Sequence, residues 1–282
     1  MHKALLPEDV QDGHSKSAKR DKNSITDWLA QQIILDSPQR VLDIGCGFGT
    51  LLASIRSVHS CDAIGLSPVR FTVDYARQFW RAHQPDSAPE IRLKRFCEPV
   101  EEQVDAAMLA SGSNLSDESR SADAAARQGQ GFDVVVALES IGYSEDLTAT
   151  LAWVRSLLEQ KGVVWLLDDW RRDPWSESCT EIRRLGRYWH RPRFYSIEDL
   201  LTAASEAGLS LVDRRDFTPR VPAVHRRPKP LRRICLKVLA TVGGRSRLGE
   251  IASAFLGGWY LESLYQRGAV RYELIKLERL GS

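Results

Sequence analysis

The chain has 282 residues, is 43% apolar and carries a formal net charge of +2, which suits one α/β domain with a sizeable core and makes no global demand for nucleic acid. Its five cysteines, Cys46, Cys61, Cys97, Cys179 and Cys235, are scattered and form no CxxC pair, which excludes a disulfide framework and points to a reducing compartment. There is no signal-peptide h-region and no apolar run approaching ~18 residues, so the expectation is a cytoplasmic protein with no membrane insertion.

Residues 1–23 are polar and charged and read as an N-terminal arm or lid, leaving 24–282 for the folded domain. "SITDWLAQQIILD" has helical spacing with Ser24 as cap. The strand "RVLDIG" follows, then a helix from Thr50 to about Ser57 and the strand "CDAIGL". "SPVRFTVDYARQFWRAH" reads as a helix with Ser67 at the N-cap and Pro68 in its first turn, and "IRLKRF" as a third strand. Residues 102–131 are rich in Ser, Ala, Asp and Gly and read as a flexible insertion. "FDVVVALES" is a buried parallel strand. "LTATLAWVRSLLEQKG" predicts a helix ending at Gly162, before the strand "VVWLLDDW". "SIEDLLTAASEAG" predicts a helix with a Ser cap and a terminal Gly208, and "LSLVDRRDF" a sixth strand. Helices at about 231–239 and 247–267 precede a last strand, "AVRYELIKLERL". The alternation predicts a doubly wound α/β fold, Rossmann-like and mostly parallel. Segments 170–200 and 218–267 would cap the strand ends and bind substrate.

The stretch "VLDIGCGFGTLL" places Gly45, Gly47 and Gly49 directly after a strand. The spacing is G-x-G-x-G, with Thr50 where a dinucleotide site has its third glycine, and no Gly-Lys-Ser/Thr follows for a phosphate loop. Asp43 stands at the strand tip, where a carboxylate can receive an ammonium group while the glycines let a flat nucleoside approach the backbone. "DIGCGFG" resembles the first motif of class I S-adenosylmethionine-dependent methyltransferases. The resemblance implies a seven-stranded sheet with the last strand antiparallel, and S-adenosylmethionine held by Asp43, Gly45, Cys46, Gly47 and Gly49. The next strand tip, "AIGLSPVRF", lacks an acid for the ribose and resembles instead the "G-x-S-x-x-Q" of a subgroup that includes cyclopropane-fatty-acid synthases, with Arg70 in place of Gln. It implies cofactor contacts at Leu66 and Ser67, although Ser67 reads equally as a helix cap. Cys97 or Glu98 stands where that family places an acid for adenine, and Glu98 is favoured. Leu138 completes the implied cofactor set.

The fourth strand ends "ALESIGYS". Glu139, a carboxylate closing an apolar strand at the mouth of the cleft, is a candidate proton acceptor. The segment resembles the "ES-x-HH" of natural-product O-methyltransferases, but Gly142 and Tyr143 replace the histidines. It resembles more fully the "ES-x-x-Y" of prenyl-diphosphate C-methyltransferases, through Glu139, Ser140 and Tyr143, and the chain's closing helix and strand extend that likeness. The resemblance implies catalytic roles for Glu139 and Tyr143. In such chemistry an alkene attacks the donated methyl group, and a base removes a proton from the resulting carbocation. Electron-rich rings would stabilise the cation and arginines the diphosphate. Trp170, Arg187, Tyr188, Trp189, Arg191, Arg193 and Tyr272 are the substrate-binding candidates, with Trp175 and the basic linker residues Arg226, Arg227 and Lys229 behind them. A diphosphate commonly brings Mg2+, but no carboxylate has distinctive spacing and no metal ligand is assigned. The alternative is O- or N-methylation of a small natural product such as a sugar, phenol or amine, with His190 as base. Asp168 and Asp169, ending the fifth strand, bind substrate or metal, or cap a turn. A scaffold engaging nucleic acid through the basic stretch 214–247 is opposed by the intact glycine motif. The acceptor is therefore a small molecule, and homo-oligomerisation is left open.

Overall fold

The computed structural model describes residues 25–84, 88–98, 131–172, 179–221, 230–243 and 246–280. The expected arm at 1–23, the Ser24 cap, the insertion up to residue 130, Trp175 and Arg226, Arg227 and Lys229 lie outside the described residues.

Seven strands form one sheet among these residues: β1 (Arg40–Ile44), β2 (Asp62–Ser67), β3 (Glu90–Leu93), β4 (Phe132–Leu138), β5 (Leu158–Arg171), β6 (Leu209–Asp216) and β7 (Val270–Arg279). Their order is β3-β2-β1-β4-β5-β7-β6. β1 to β5 run parallel, and β7 lies antiparallel between β5 and β6. The helices are α1 (Ile25–Ile34), α2 (Thr50–Arg56), α3 (Arg70–His83), α4 (Leu147–Leu157), α5 (Thr180–Trp189), α6 (Ile197–Glu206), α7 (Pro230–Val242) and α8 (Arg247–Gln266).

Alternate residues of the near-continuous apolar strands feed two cores. Leu42, Val135, Leu166 and Ile275 meet α4 and α6 on one face. Val41, Val134, Leu167 and Leu274 meet α1 and α2 on the other. A third cluster joins α5 to α8 through Leu185, Tyr260 and Leu264 and forms the helical cap. Strand order reverses between β1 and β4, so the crevice at their carboxyl ends is where such a sheet binds ligands.

Two helix boundaries differ from expectation. α4 stops at Leu157, and Gly162 lies inside β5, where the pairing with β4 is irregular between Phe132 and Val134. A Cβ on Gly162 would meet the Phe132 carbonyl at 2.8 Å, so this glycine serves a close strand approach and not a helix end. Ser67 is the last residue of β2, paired with Leu93, and α3 begins three residues later with Val69 at its N-cap. By contrast, Ser196 caps α6 with a full capping box to Asp199, and Gly208 follows that helix at φ +73°.

Candidate active site

The turn after β1 is built by glycines in the left-handed region: Gly45, Gly47 and Gly49 have φ of +89°, +53° and +75°. The Gly45 and Cys46 N–H groups both donate to the Leu66 carbonyl, at 2.8 and 2.9 Å, which ties the turn to the end of β2. From the other side Ser140 Oγ donates to the Ile44 carbonyl at 2.6 Å, and a Cβ on Gly45 would lie 2.3 Å from Ser140 Cβ. A Cβ on Gly47 would meet nothing within 4 Å, so the backbone there faces open space.

Asp43 is 2% exposed, and its Oδ1 has no hydrogen-bond partner. Desolvation pushes its carboxyl up to about 7. An orphaned, buried carboxylate beside a glycine backbone that faces open space fits a ligand bringing both an ammonium group and a flat ring system. S-adenosylmethionine meets that description.

The other expected cofactor residues are placed as follows. The Cys46 side chain packs with Val73, Ala76 and Ile91, and burial pushes its thiol well above the usual range. Leu66 contributes its carbonyl to the turn and its side chain to the core. Ser67 Oγ accepts from the Val69 N–H at 3.4 Å. Glu98 accepts from the Arg95 N–H at 2.9 Å, within its own loop. Leu138 packs in the α1–α2 core one residue before Glu139.

Glu139 directly follows β4 with φ +53°, a conformation that costs a non-glycine residue about 1–2 kcal/mol. Its N–H donates to the Leu167 carbonyl at 2.8 Å, and its Oε1 accepts from the Tyr272 hydroxyl at 2.9 Å. Beside this pair, the Tyr265 hydroxyl donates to Asp169 Oδ1. Burial, reinforced by Glu139 and Asp169, pushes the Tyr272 phenol well above its usual range, so it stays a donor at any working pH. Tyr265 is held up by burial and Asp169 in the same way. Two carboxylates and two protonated phenols thus meet at the carboxyl ends of β4 and β5. Tyr143, 44% exposed in the turn Ile141–Tyr143, stands over them; partial desolvation raises its phenol, Arg191 opposes this, and Asp168, Asp169 and Glu139 add to it.

The substrate-binding expectations divide. Tyr272 joins Glu139. Trp170 is fully buried in the α4–α6 core with its Nε1–H on the Glu273 carbonyl, so the expectation that it lines substrate space is corrected. Arg191 is also buried: its Nη2 donates to Asp168 Oδ1 at 2.9 Å and its Nε to the Gly142 carbonyl at 3.1 Å. The Gly142 N–H in turn donates to Asp168 Oδ2 at 3.0 Å. Asp168 already neutralises this arginine, which therefore offers no free charge to a phosphate. Tyr188 stacks on Tyr260, and Trp189 lies against Gly257, both packing α5 on α8. Arg187 is exposed on α5, whereas Arg193 lines a separate cleft of about 880 Å³ with Glu198 and Asp199. His190 is exposed at φ +54°, 3.8 Å from Glu250. No group of three or more His, Cys, Asp or Glu is placed to hold a metal among the described residues.

Ser140 as a brace and Tyr265 as a partner of Asp169 escaped the sequence. The first was legible in the glycine pattern only as a neighbour that forbids a side chain at position 45. Tyr265 carried no signal beyond helical spacing. The Asp168–Arg191 pair had one trace: a glycine at 142, where related motifs have histidine, leaves room for the guanidinium.

Residues 17–214 match the family described as a methyltransferase domain. No curated protein matches the sequence. Among solved structures, geranyl diphosphate C-methyltransferase from Streptomyces coelicolor A3(2), in complex with Mg2+, geranyl diphosphate and S-adenosyl-L-homocysteine, is similar with a TM-score of 0.65. It is 14% identical, with 99% of this chain and 89% of that one covered. The [4+2]-cyclase SpnF gives 0.61 at 16% identity over 100% and 89%, and the StiE O-MT domain 0.56 at 15% over 90% and 72%. At these identities the likeness is one of fold.

Proposed function

From the premise that the chain belongs to the methyltransferase-domain family and is an S-adenosylmethionine-dependent methyltransferase, we propose that it methylates a carbon of an isoprenoid acceptor, with Glu139 as the proton acceptor. The observation that carries this reading is the Glu139 carboxylate, fixed at the switch-point end of β4 by a strained backbone and by a phenol that cannot ionise. Bound S-adenosylmethionine supplies an electrophilic methyl group. Asp43 and the backbone at Gly45, Gly47 and Gly49 would hold it. Glu139 would take a proton from the methylated acceptor, with the Tyr272 hydroxyl holding its carboxylate in place. The rings of Tyr143 and Tyr265 would offer electron-rich faces to the carbocation formed on the methylated acceptor, each contributing about 0.5–2 kcal/mol. If the acceptor is a diphosphate, its charge falls to Arg183 and Arg187, exposed on α5, because Arg191 is paired with Asp168.

That buried pair also supports a second reading, O- or N-methylation of a small natural product, which needs no arginine cluster. A methyl-transfer screen read by mass shift separates the two. Five-, ten- and fifteen-carbon prenyl diphosphates and the corresponding alcohols are offered beside phenols, sugars and amines, with and without Mg2+. Carbon methylation of a prenyl acceptor that disappears in Glu139→Gln supports the first reading. Methylation confined to oxygen or nitrogen acceptors refutes it.

A further inference from the structure

α7 is folded inside out. Its arginines face the protein: the Arg233 guanidinium lies 4.6 Å from the Trp259 ring centroid and donates to the Tyr260 hydroxyl at 3.4 Å, and Arg232 lies 5.1 Å from the Phe255 ring. These contacts seat α7 against α8. Four of its aliphatic residues line an outward face. Leu231 is 75% exposed and Val242 82%, and Ile234 and Val238 between them are also more than half exposed. Their spacing of three, four and four residues aligns all four on one helical face. Leu248 and Ile251, exposed at the start of α8, extend the apolar surface beyond the end of α7. Isolated surface leucines need no explanation, but an aliphatic face along a whole helix marks a docking surface.

The sequence that runs through this helix and its flanks points to what covers it. From Arg220 to Arg247 the sequence holds nine Lys and Arg residues and no Asp or Glu. Two copies docked along this helix would bring two such basic segments together. A surface of opposite sign with an apolar interior satisfies both the charge and the aliphatic face. We propose that α7 and the start of α8 dock the enzyme on an anionic lipid membrane, lying in the interface plane with Leu231, Ile234, Val238 and Val242 directed into the acyl boundary. This attachment is peripheral: among the described residues no helix is long and apolar enough to span a bilayer.

The test is flotation of the full-length protein with vesicles of phosphatidylcholine alone and of phosphatidylcholine mixed with phosphatidylglycerol. The double variant I234D/V238D replaces two exposed side chains, so its melting temperature and S-adenosylhomocysteine binding should match wild type. Wild type should float with the anionic vesicles, less so at high salt, and stay in solution with neutral ones; the double variant should bind the anionic vesicles at least roughly tenfold more weakly. No binding to anionic vesicles overturns the proposal. So does equal binding to both vesicle types, or binding unchanged in the double variant. Self-association in sedimentation that is lost in the double variant, without vesicle binding, overturns it in favour of a second copy.

Discussion

Asp43 gives the site a stability cost that can be measured without any substrate. Its carboxyl rises from 3.8 to about 7 on burial. Between those values the folded chain keeps a proton that the unfolded chain has released. Stability therefore falls as pH rises from about 4 to about 7, and the full penalty stands above 7. For a shift of this size the penalty is about 4 kcal/mol, of which about 2.5 kcal/mol develops between pH 5 and pH 8. Asp43→Asn keeps the shape and cannot ionise. Urea unfolding of the ligand-free wild type and variant at both pH values isolates the effect from other titrations. The variant's stability relative to wild type should grow by about 2.5 kcal/mol from pH 5 to pH 8. The proposed role of Asp43 as partner of the cofactor's ammonium group needs the ionised form, so S-adenosylhomocysteine affinity of the wild type should rise roughly tenfold per pH unit below 7 and level off above it. A stability difference that does not change with pH would refute the claim that the orphaned carboxylate is held desolvated in the fold.

The glycine loop separates folding from binding. Gly45→Ala drives a Cβ into Ser140 and should cost several kcal/mol of stability, whereas Gly47→Ala meets open space and should cost only about 1–2 kcal/mol for its positive φ while weakening cofactor binding far more; thermal unfolding and calorimetry score both. At position 142 a Cβ would lie 1.4 Å from Arg191 Nη2, so Gly142→Ala should eject the guanidinium, leave Asp168 unpaired and cost about 3–5 kcal/mol; a stability loss under 1 kcal/mol would show that the pair is not buried as described. Tyr272→Phe removes the hydroxyl from Glu139 and should lower turnover about tenfold with S-adenosylhomocysteine affinity unchanged.

Much of this architecture is legible in the sequence because local and tertiary preferences agree. The capping box at Ser196 and the apolar runs of β4 and β5 are specified by residues that the fold uses in the expected way. The errors fall where a long-range contact decides. Gly162 has the chemistry of a helix end, but the approach of Phe132 draws it into a strand. Ser67 has the chemistry of a cap, but pairing with Leu93 keeps it in the sheet. At the site, Asp43 and Glu139 stand out because carboxylates at the ends of apolar strands need a reason. Arg191 and Trp170 could not be sorted that way, since arginine and tryptophan suit both a substrate wall and a packed interior. Only the tertiary contacts with Asp168 and with the α4–α6 core decide between these.

The proposed roles divide the site: Asp43 anchors the cofactor and Glu139 acts on the acceptor. Calorimetric titration with S-adenosylhomocysteine of wild type, Asp43→Ala and Glu139→Gln tests this division directly. Wild type and Glu139→Gln should bind with the same affinity, and Asp43→Ala should bind at least roughly tenfold more weakly, consistent with loss of a buried charge-assisted hydrogen bond. Equal binding by Asp43→Ala, or binding lost in Glu139→Gln, would contradict this division.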